Sequence, residues 1–247
     1  MCLLMVMHQG VEDYPIVLAA NRDEYYDRPS AGPQLLRQAP KVWGGRDGRA
    51  GGTWLGVNAE GLVVGLTNRR FRDQQDTDPH RRSRGLLCLE ALQHRRAAEV
   101  VEFLATEPPH RYNACNLLIA DRHEIYWTAY EGKPETQRLP PGLYVLANGN
   151  LNDLETVRIR RARQLLQRPK YAQVEHLLPL LEQVCRDHEA GVQERDTICM
   201  HRENERYGTV SSTIIALSPT LHQSIYRYAE YQPCCNPYQD YSALFTV

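Results

Sequence analysis

The order of apolar runs in this sequence predicts an α+β fold, with antiparallel sheets covered by layers of helix. Two observations carry that prediction. Short apolar runs bounded by turn residues come in neighbouring pairs, the pattern of hairpins. Residues with apolar side chains at helical spacing gather in separate blocks between those pairs, giving strands, helices, strands, helices, strands. At 247 residues the chain can bury a substantial core as one unit. No repeat or linker divides it, so a single domain over residues 1–247 is expected.

Residues 2–8 open with Cys2 and the run Leu3-Leu4-Met5-Val6-Met7, and 15–20 read Pro-Ile-Val-Leu-Ala-Ala. They form two buried strands of one hairpin. The second run ends in Asn21-Arg22-Asp23-Glu24. If the strand persists, alternation puts Asn21 and Asp23 on one face and Arg22 on the other. The hairpin brings this tetrad close to Cys2. From Pro29 through Gly32, Pro33 and Pro40 to Gly44-Gly45-Arg46-Asp47-Gly48 a loop is expected. Gly51-Gly52-Thr53-Trp54-Leu55-Gly56 is too glycine-rich for helix, and its paired glycines mark a tight turn or a close backbone approach. A second hairpin, 53–58 with 62–67, turns at Ala59-Glu60-Gly61 and ends at Asn68.

Residues 69–84 hold six arginines against three aspartates, the composition of a solvated loop or of a lid over an anionic substrate. Leu86, Leu89 and Leu92, then Val100, Val101 and Leu104, predict two helices or one kinked helix over 85–105, stopped by Pro108-Pro109. Strands follow at 115–121, 123–130 and 142–147, the last delivering Asn148 at its end. Asn152-x-x-Glu155 has the form of a cap for a helix over about 153–167. Val174, Leu177, Leu178, Leu181, Val184 and Cys185 make the apolar stripe of a further helix. Residues 208–217 and 222–229 close the pattern as a hairpin.

A net charge of −1 gives no global field for nucleic acid or an anionic membrane. All but Lys41, Lys133 and Lys170 of the 29 cationic residues are arginine, so bidentate anion contacts are within the chain's means. No apolar run reaches the length of a membrane span, and the first run lacks the basic flank of a signal peptide. Seven cysteines at irregular spacing argue against a disulfide scaffold and for a reducing, cytoplasmic home.

The chemistry starts at Cys2. Trimming of Met1 leaves a thiol and a free α-amine on adjacent carbons, and an amine with a pKa of about 7.7–8.0 is partly neutral at working pH. Such an amine can serve as the base for its own side chain. Acyl transfer also needs donors aimed at the developing oxyanion, and the strand-end amides of Asn68 and Asn148 suit that task. An aspartate orients the amine, and an arginine favours the thiolate. Competing chemistries lack their patterns. There is no Gly-x-Ser-x-Gly, no His-Glu-x-x-His and no phosphate loop. Cys199-x-His201 with Cys234-Cys235 lacks the usual zinc spacing, so neither a metal nor a cofactor is expected.

Cys2 with its strand, Leu-Ala-Ala-Asn-Arg-Asp-Glu (18–24), Gly-Gly-Thr-Trp-Leu-Gly (51–56), Leu-Thr-Asn (66–68), Ser-Arg-Gly (83–85) and Tyr-Gly-Thr (207–209) resemble, in that order, the NRDE family. Its animal members are called transport and Golgi organisation proteins, and the family looks like the N-terminal nucleophile hydrolases. The resemblance implies a four-layer αββα sandwich. It also implies that Cys2 is the nucleophile, Asp23 holds the amine, Arg22 tunes the thiol, and Asn68 and Asn148 contact the oxyanion or the substrate amide. Asn21, Thr53 and Trp54 become substrate-binding candidates. The pattern has arginine where this chain has Val210, so the last hairpin offers no arginine there. The expected activity is hydrolysis, or acyl transfer, of a non-peptide C–N amide in a small molecule through a Cys2 thioester. The alternative implied by the animal relatives is a non-catalytic protein that binds haem or acyl-coenzyme A.

Overall fold

The computed structural model describes residues 2–70, 78–166, 171, 173–189 and 196–246. The chain begins with β1 (Cys2–His8) and β2 (Ile16–Tyr25), followed by β3 (Ser30–Gln38), β4 (Lys41–Asp47), β5 (Leu55–Asn58) and β6 (Val63–Asn68). Then come α1 (Arg84–Ala91) and α2 (Ala97–Thr106), and β7 (Cys115–Ala120), β8 (Ile125–Tyr130) and β9 (Pro134–Leu139). The last part holds β10 (Gly142–Leu146), α3 (Val157–Leu165), α4 (Val174–Cys185), β11 (His201–Arg202), β12 (Tyr207–Leu217), β13 (Ile225–Glu230) and β14 (Gln239–Asp240). These elements divide into two compact units, Pro29–Pro140 and the combination of Met1–Arg28 with Pro141–Val247.

The Pro29–Pro140 unit is an antiparallel meander in which β3 to β9 pair in chain order. Its apolar face carries Val64, Leu66, Leu117 and Ile119, packed against Leu87 and Leu92 of the α1 region and Val100 and Leu104 of α2. The 85–105 stretch is therefore two helices. Ser83 caps α1 by accepting from the Gly85 N–H. The expected loop at 29–48 is instead the strand pair β3–β4. Pro33 falls at a register shift on the edge strand, where its missing N–H costs no ladder bond. The glycines serve close packing. A Cβ on Gly44 would lie 2.5 Å from the Leu55 carbonyl oxygen, and one on Gly45 would lie 2.4 Å from the Trp54 ring. Strand β9 also escaped the sequence pattern, because Pro-Glu-Thr-Gln-Arg-Leu is a mostly exposed edge with no apolar alternation.

The other unit combines the start of the chain with its second half. Its sheet runs β10-β1-β2-β12-β13-β14, with β11 on β12. One face presents Leu3, Met5, Met7, Val17, Ala19, Ile214 and Ala216 to Ile159 and Ala162 of α3 and to the apolar stripe of α4. All six stripe residues expected on α4 are buried. Strand β2 extends through the polar tetrad because both its neighbours keep pairing, from Cys2 opposite Arg22 to Tyr207 opposite Tyr25. Asn152 does not cap α3. It adopts φ 56° and receives the Val145 N–H on its side-chain oxygen at 2.9 Å, closing the turn after β10. The cap position is Thr156, whose N–H is bound to the Asp153 carbonyl.

Candidate active site

Two of the sequence candidates in this unit, Cys2 and Arg22, stand in one row across the strands. Cys2 of β1 stands opposite Arg22 of β2, and Arg22 stands opposite Ser211 of β12. Directly opposed residues of an antiparallel sheet project to the same face. Cys2, Arg22 and Ser211 therefore share the face turned away from α3 and α4, where Leu3 and Asn21 do not lie. Strand β10 pairs Leu4 with Leu146 and ends there, and Asn148 follows two residues on. Asn148 is buried there.

Asp23 lies one residue on, facing the helices. Its side chain is 0% exposed and its Oδ2 is 2.8 Å from Nη2 of Arg158, itself 4% exposed. Thr209 donates its hydroxyl to Asp23 Oδ1 at 2.7 Å, and Tyr207 donates to the Asp23 carbonyl at 2.9 Å. Arg158 also donates to the Ile198 carbonyl at 3.1 Å. Asn21 reaches the same carbonyl at 3.0 Å and that of Cys185 at 2.9 Å. Asn21 is thus a buried tie between β2, α4 and the segment before β11. A bulge makes the two faces compatible. The register of β12 shifts between Thr209 and Ser211, leaving Val210 as the extra residue. Thr209 can then face Asp23 while Ser211, two residues later, faces Arg22, a re-aiming that bulges allow.

The electrostatics at Cys2 oppose one another. Burial pushes the thiol above its ordinary value, and the Asp23 carboxylate adds to the shift. The Asp23 backbone N–H and the Arg22 guanidinium act the other way. Cys2 is only partly buried, whereas Cys88, Cys115, Cys185 and Cys199 are fully enclosed. Burial pushes Cys115 up to about 12 and Cys185 to about 11, the condition of inert packing thiols.

The remaining candidates belong to the Pro29–Pro140 unit. Thr53 is buried, its hydroxyl donating to the Leu55 carbonyl at 2.9 Å and its N–H to the Gly85 carbonyl at 3.0 Å. Trp54 lies over Gly45. Asn68 ends β6, half-buried and opposite Cys115. Within the arginine-rich stretch, 71–77 lie outside the described residues. Of its other arginines, Arg69 pairs with Glu131, Arg82 with Glu90, and Arg84 donates to the Ala114 carbonyl at 3.0 Å. In the sequence Arg158 looks like one more cation in a helix rich in them. Tyr207 and Thr209 stand in the sequence only as the ends of the Tyr-Gly-Thr motif. A surface cavity of about 840 Å³ opens at the other end of the sheet, by Val11, Tyr14 and Gln223, and holds none of the candidates.

Residues 1–229 match the family model described as Transport and Golgi organisation 2. The chain belongs to that family. Its relatives include the Transport and Golgi organization 2 homolog of Mus musculus, 35% identical over 147 residues, 56% of this chain and 52% of that protein. The Homo sapiens homolog is 34% identical over 158 residues, with the same two coverages. The chain thus spans about half the length of these two relatives. The Bos taurus homolog is 29% identical over 240 residues, 85% of this chain and 84% of that one.

Solved structures show the fold. Penicillin V acylase from Agrobacterium tumefaciens superposes with a TM-score of 0.62 at 14% identity, over 93% of this chain and 83% of that one. The Caenorhabditis elegans ortholog of N-acylethanolamine-hydrolyzing acid amidase gives 0.57 at 14% identity, over 88% and 93%. A mutant conjugated bile acid hydrolase from Clostridium perfringens gives 0.58 at 12% identity, over 98% and 96%. This member of the Transport and Golgi organisation 2 family therefore has the α+β sandwich fold of the N-terminal nucleophile hydrolases.

Proposed function

We propose that this chain is an N-terminal cysteine hydrolase, or acyltransferase, acting on a non-peptide C–N amide of a small molecule. The observation that carries the reading is the row of Cys2, Arg22 and Ser211, backed by the Asp23–Arg158–Thr209 network. Removal of Met1 makes Cys2 the first residue and supplies an α-amine beside its thiol. That amine takes the thiol proton, and the thiolate attacks the amide carbonyl carbon. Arg22 favours the thiolate by charge. Asn148 donates to the oxyanion, which collapses as the C–N bond breaks. The leaving amine departs with the proton, and water, or an acceptor amine, then cleaves the Cys2 thioester.

Asp23 orients the cysteine's amine in this scheme. A carboxylate accepts at about four lone-pair positions, so its contacts with Thr209 and Arg158 leave capacity for that amine. The fold's neighbours include an acylase, an amidase and a bile acid hydrolase, which sets the substrate class worth testing. Haem or acyl-coenzyme A binding would draw on the arginine-rich stretch, and Arg69, Arg81, Arg82 and Arg84 there are engaged with the protein itself. The seven free thiols fit a reducing cytosol.

The test is a panel of N-acyl amides with chromogenic amine leaving groups, varied in acyl length. Turnover that falls at least about a thousandfold in Cys2→Ala, with folding intact, supports the scheme. Turnover that survives Cys2→Ala would place the chemistry elsewhere.

A further inference from the structure

Behind Asp23, four side chains with no part in the proposed chemistry converge on one point. The ligand atoms of His188, Cys199, His201 and Cys234 all lie within 4.8 Å of one another. Nε2 of His201 is 3.3 Å from Sγ of Cys234 and 3.7 Å from Sγ of Cys199. A tetrahedral zinc, with bonds of about 2.3 Å to sulfur and 2.0–2.1 Å to nitrogen, sets neighbouring sulfur and nitrogen ligands about 3.5 Å apart. Both measured separations bracket that value. The imidazoles of His188 and His201 have centroids 5.1 Å apart and planes inclined by 42°, so they converge without stacking. Two thiols and two imidazoles are the donor set of a closed, four-ligand zinc site.

The position of the cluster gives it a task. Residues 198–201 run between it and the Asp23 network. Ile198 offers its carbonyl to Asn21 and Arg158, and Met200 exchanges hydrogen bonds with Thr209, at 2.9 Å to the hydroxyl and 2.8 Å from the Thr209 N–H. Cys199 and His201, the alternate residues, carry ligand atoms of the cluster. We propose that His188, Cys199, His201 and Cys234 bind one Zn²⁺ ion, which clamps residues 198–201 against the Asp23–Arg158–Thr209 network. Both thiols release their protons on binding. Residue 188 follows α4, 199 precedes β11 and 201 opens it, and 234 follows β13, so one ion ties three separate stretches together. The site is structural, because four protein ligands leave no open position for substrate. It stands or falls independently of the hydrolase reading.

The full chain, purified under reductant, is assayed for bound metal and then stripped and titrated with Co²⁺. One zinc per chain, or the visible bands of tetrahedral cobalt with a near-ultraviolet thiolate charge-transfer band, is the expected result. Cys199→Ser and His201→Asn should weaken cobalt binding by at least about tenfold. His188→Asn changes an exposed position that spares the core, and should also weaken it. Cys235→Ser is the control that keeps binding, although its Sγ is 3.5 Å from that of Cys234. Absence of a cobalt spectrum in the reduced wild-type chain overturns the proposal. So does unchanged cobalt affinity in the correctly folded His188→Asn and Cys199→Ser chains.

Discussion

Asp23 and Arg158 form a buried ion pair, and such a pair is costly to break because the surviving partner keeps its charge without water. Arg158→Ala should therefore lower unfolding free energy by about 3–5 kcal/mol, measured by urea denaturation. A loss below about 1 kcal/mol would mean that Asp23 does not depend on it. At Cys2 the sign is equally definite. A raised thiol pKa leaves the thiolate a minority at neutral pH, and that minority grows tenfold per pH unit. In a chain that keeps Met1, alkylation of Cys2 by iodoacetamide should keep climbing past pH about 8.5, where an ordinary thiol begins to level. A plateau at or below pH about 7 would contradict the burial argument. The faces of Asn21, Arg22 and Asp23 were legible from strand alternation alone. Arg158 was not, because Arg158, Arg160, Arg161 and Arg163 share one short helix and nothing in the sequence says which is buried. Cys199, His201 and Cys234 were legible in the sequence but set aside on their spacing, and His188 was not legible at all. The members of this cluster are far apart in sequence, and only tertiary packing brings them together.

Among the elements, the hairpins and the α4 stripe followed from periodicity, since both report local burial. The errors at β3 and β4 came where glycine and proline carried a tertiary meaning. Gly44 and Gly45 read as loop residues, yet they let β4 approach β5 and the Trp54 ring. Gly52 is the sharper case. A Cβ there would lie 2.2 Å from the carbonyl carbon of Gly85, so the Gly-Gly-Thr-Trp and Ser-Arg-Gly blocks meet backbone to backbone. Gly52→Ala should cost about 1–3 kcal/mol by overpacking, read from the shift in denaturation midpoint at constant slope. An unchanged midpoint would show that α1 can move away freely. The bulge at Val210 could not be foreseen, because a bulge is a mismatch between two strands and only one of them is local.

At the scale of the whole chain, the unit that carries Cys2 is assembled from both ends of the sequence. Strand β2 pairs with β12 across most of the chain, from Ile16 opposite Leu217 to Tyr25 opposite Tyr207. Local patterns supplied the α+β class, but not which hairpins share a sheet. The family resemblance implied the αββα sandwich, and the superpositions on three hydrolases bear out the fold. None of the described helices is long and apolar enough to cross a membrane. The central claim, that Cys2 acts as a first residue, concerns the covalent state of the chain and is tested on its mass. The measurement is the intact mass of the protein isolated from its native host, before and after a thiol-selective acylating probe. Loss of one methionine, with a single probe adduct that disappears in Cys2→Ala, is the result expected here. Retained Met1 would leave Cys2 with no free amine, and the N-terminal nucleophile mechanism would fall.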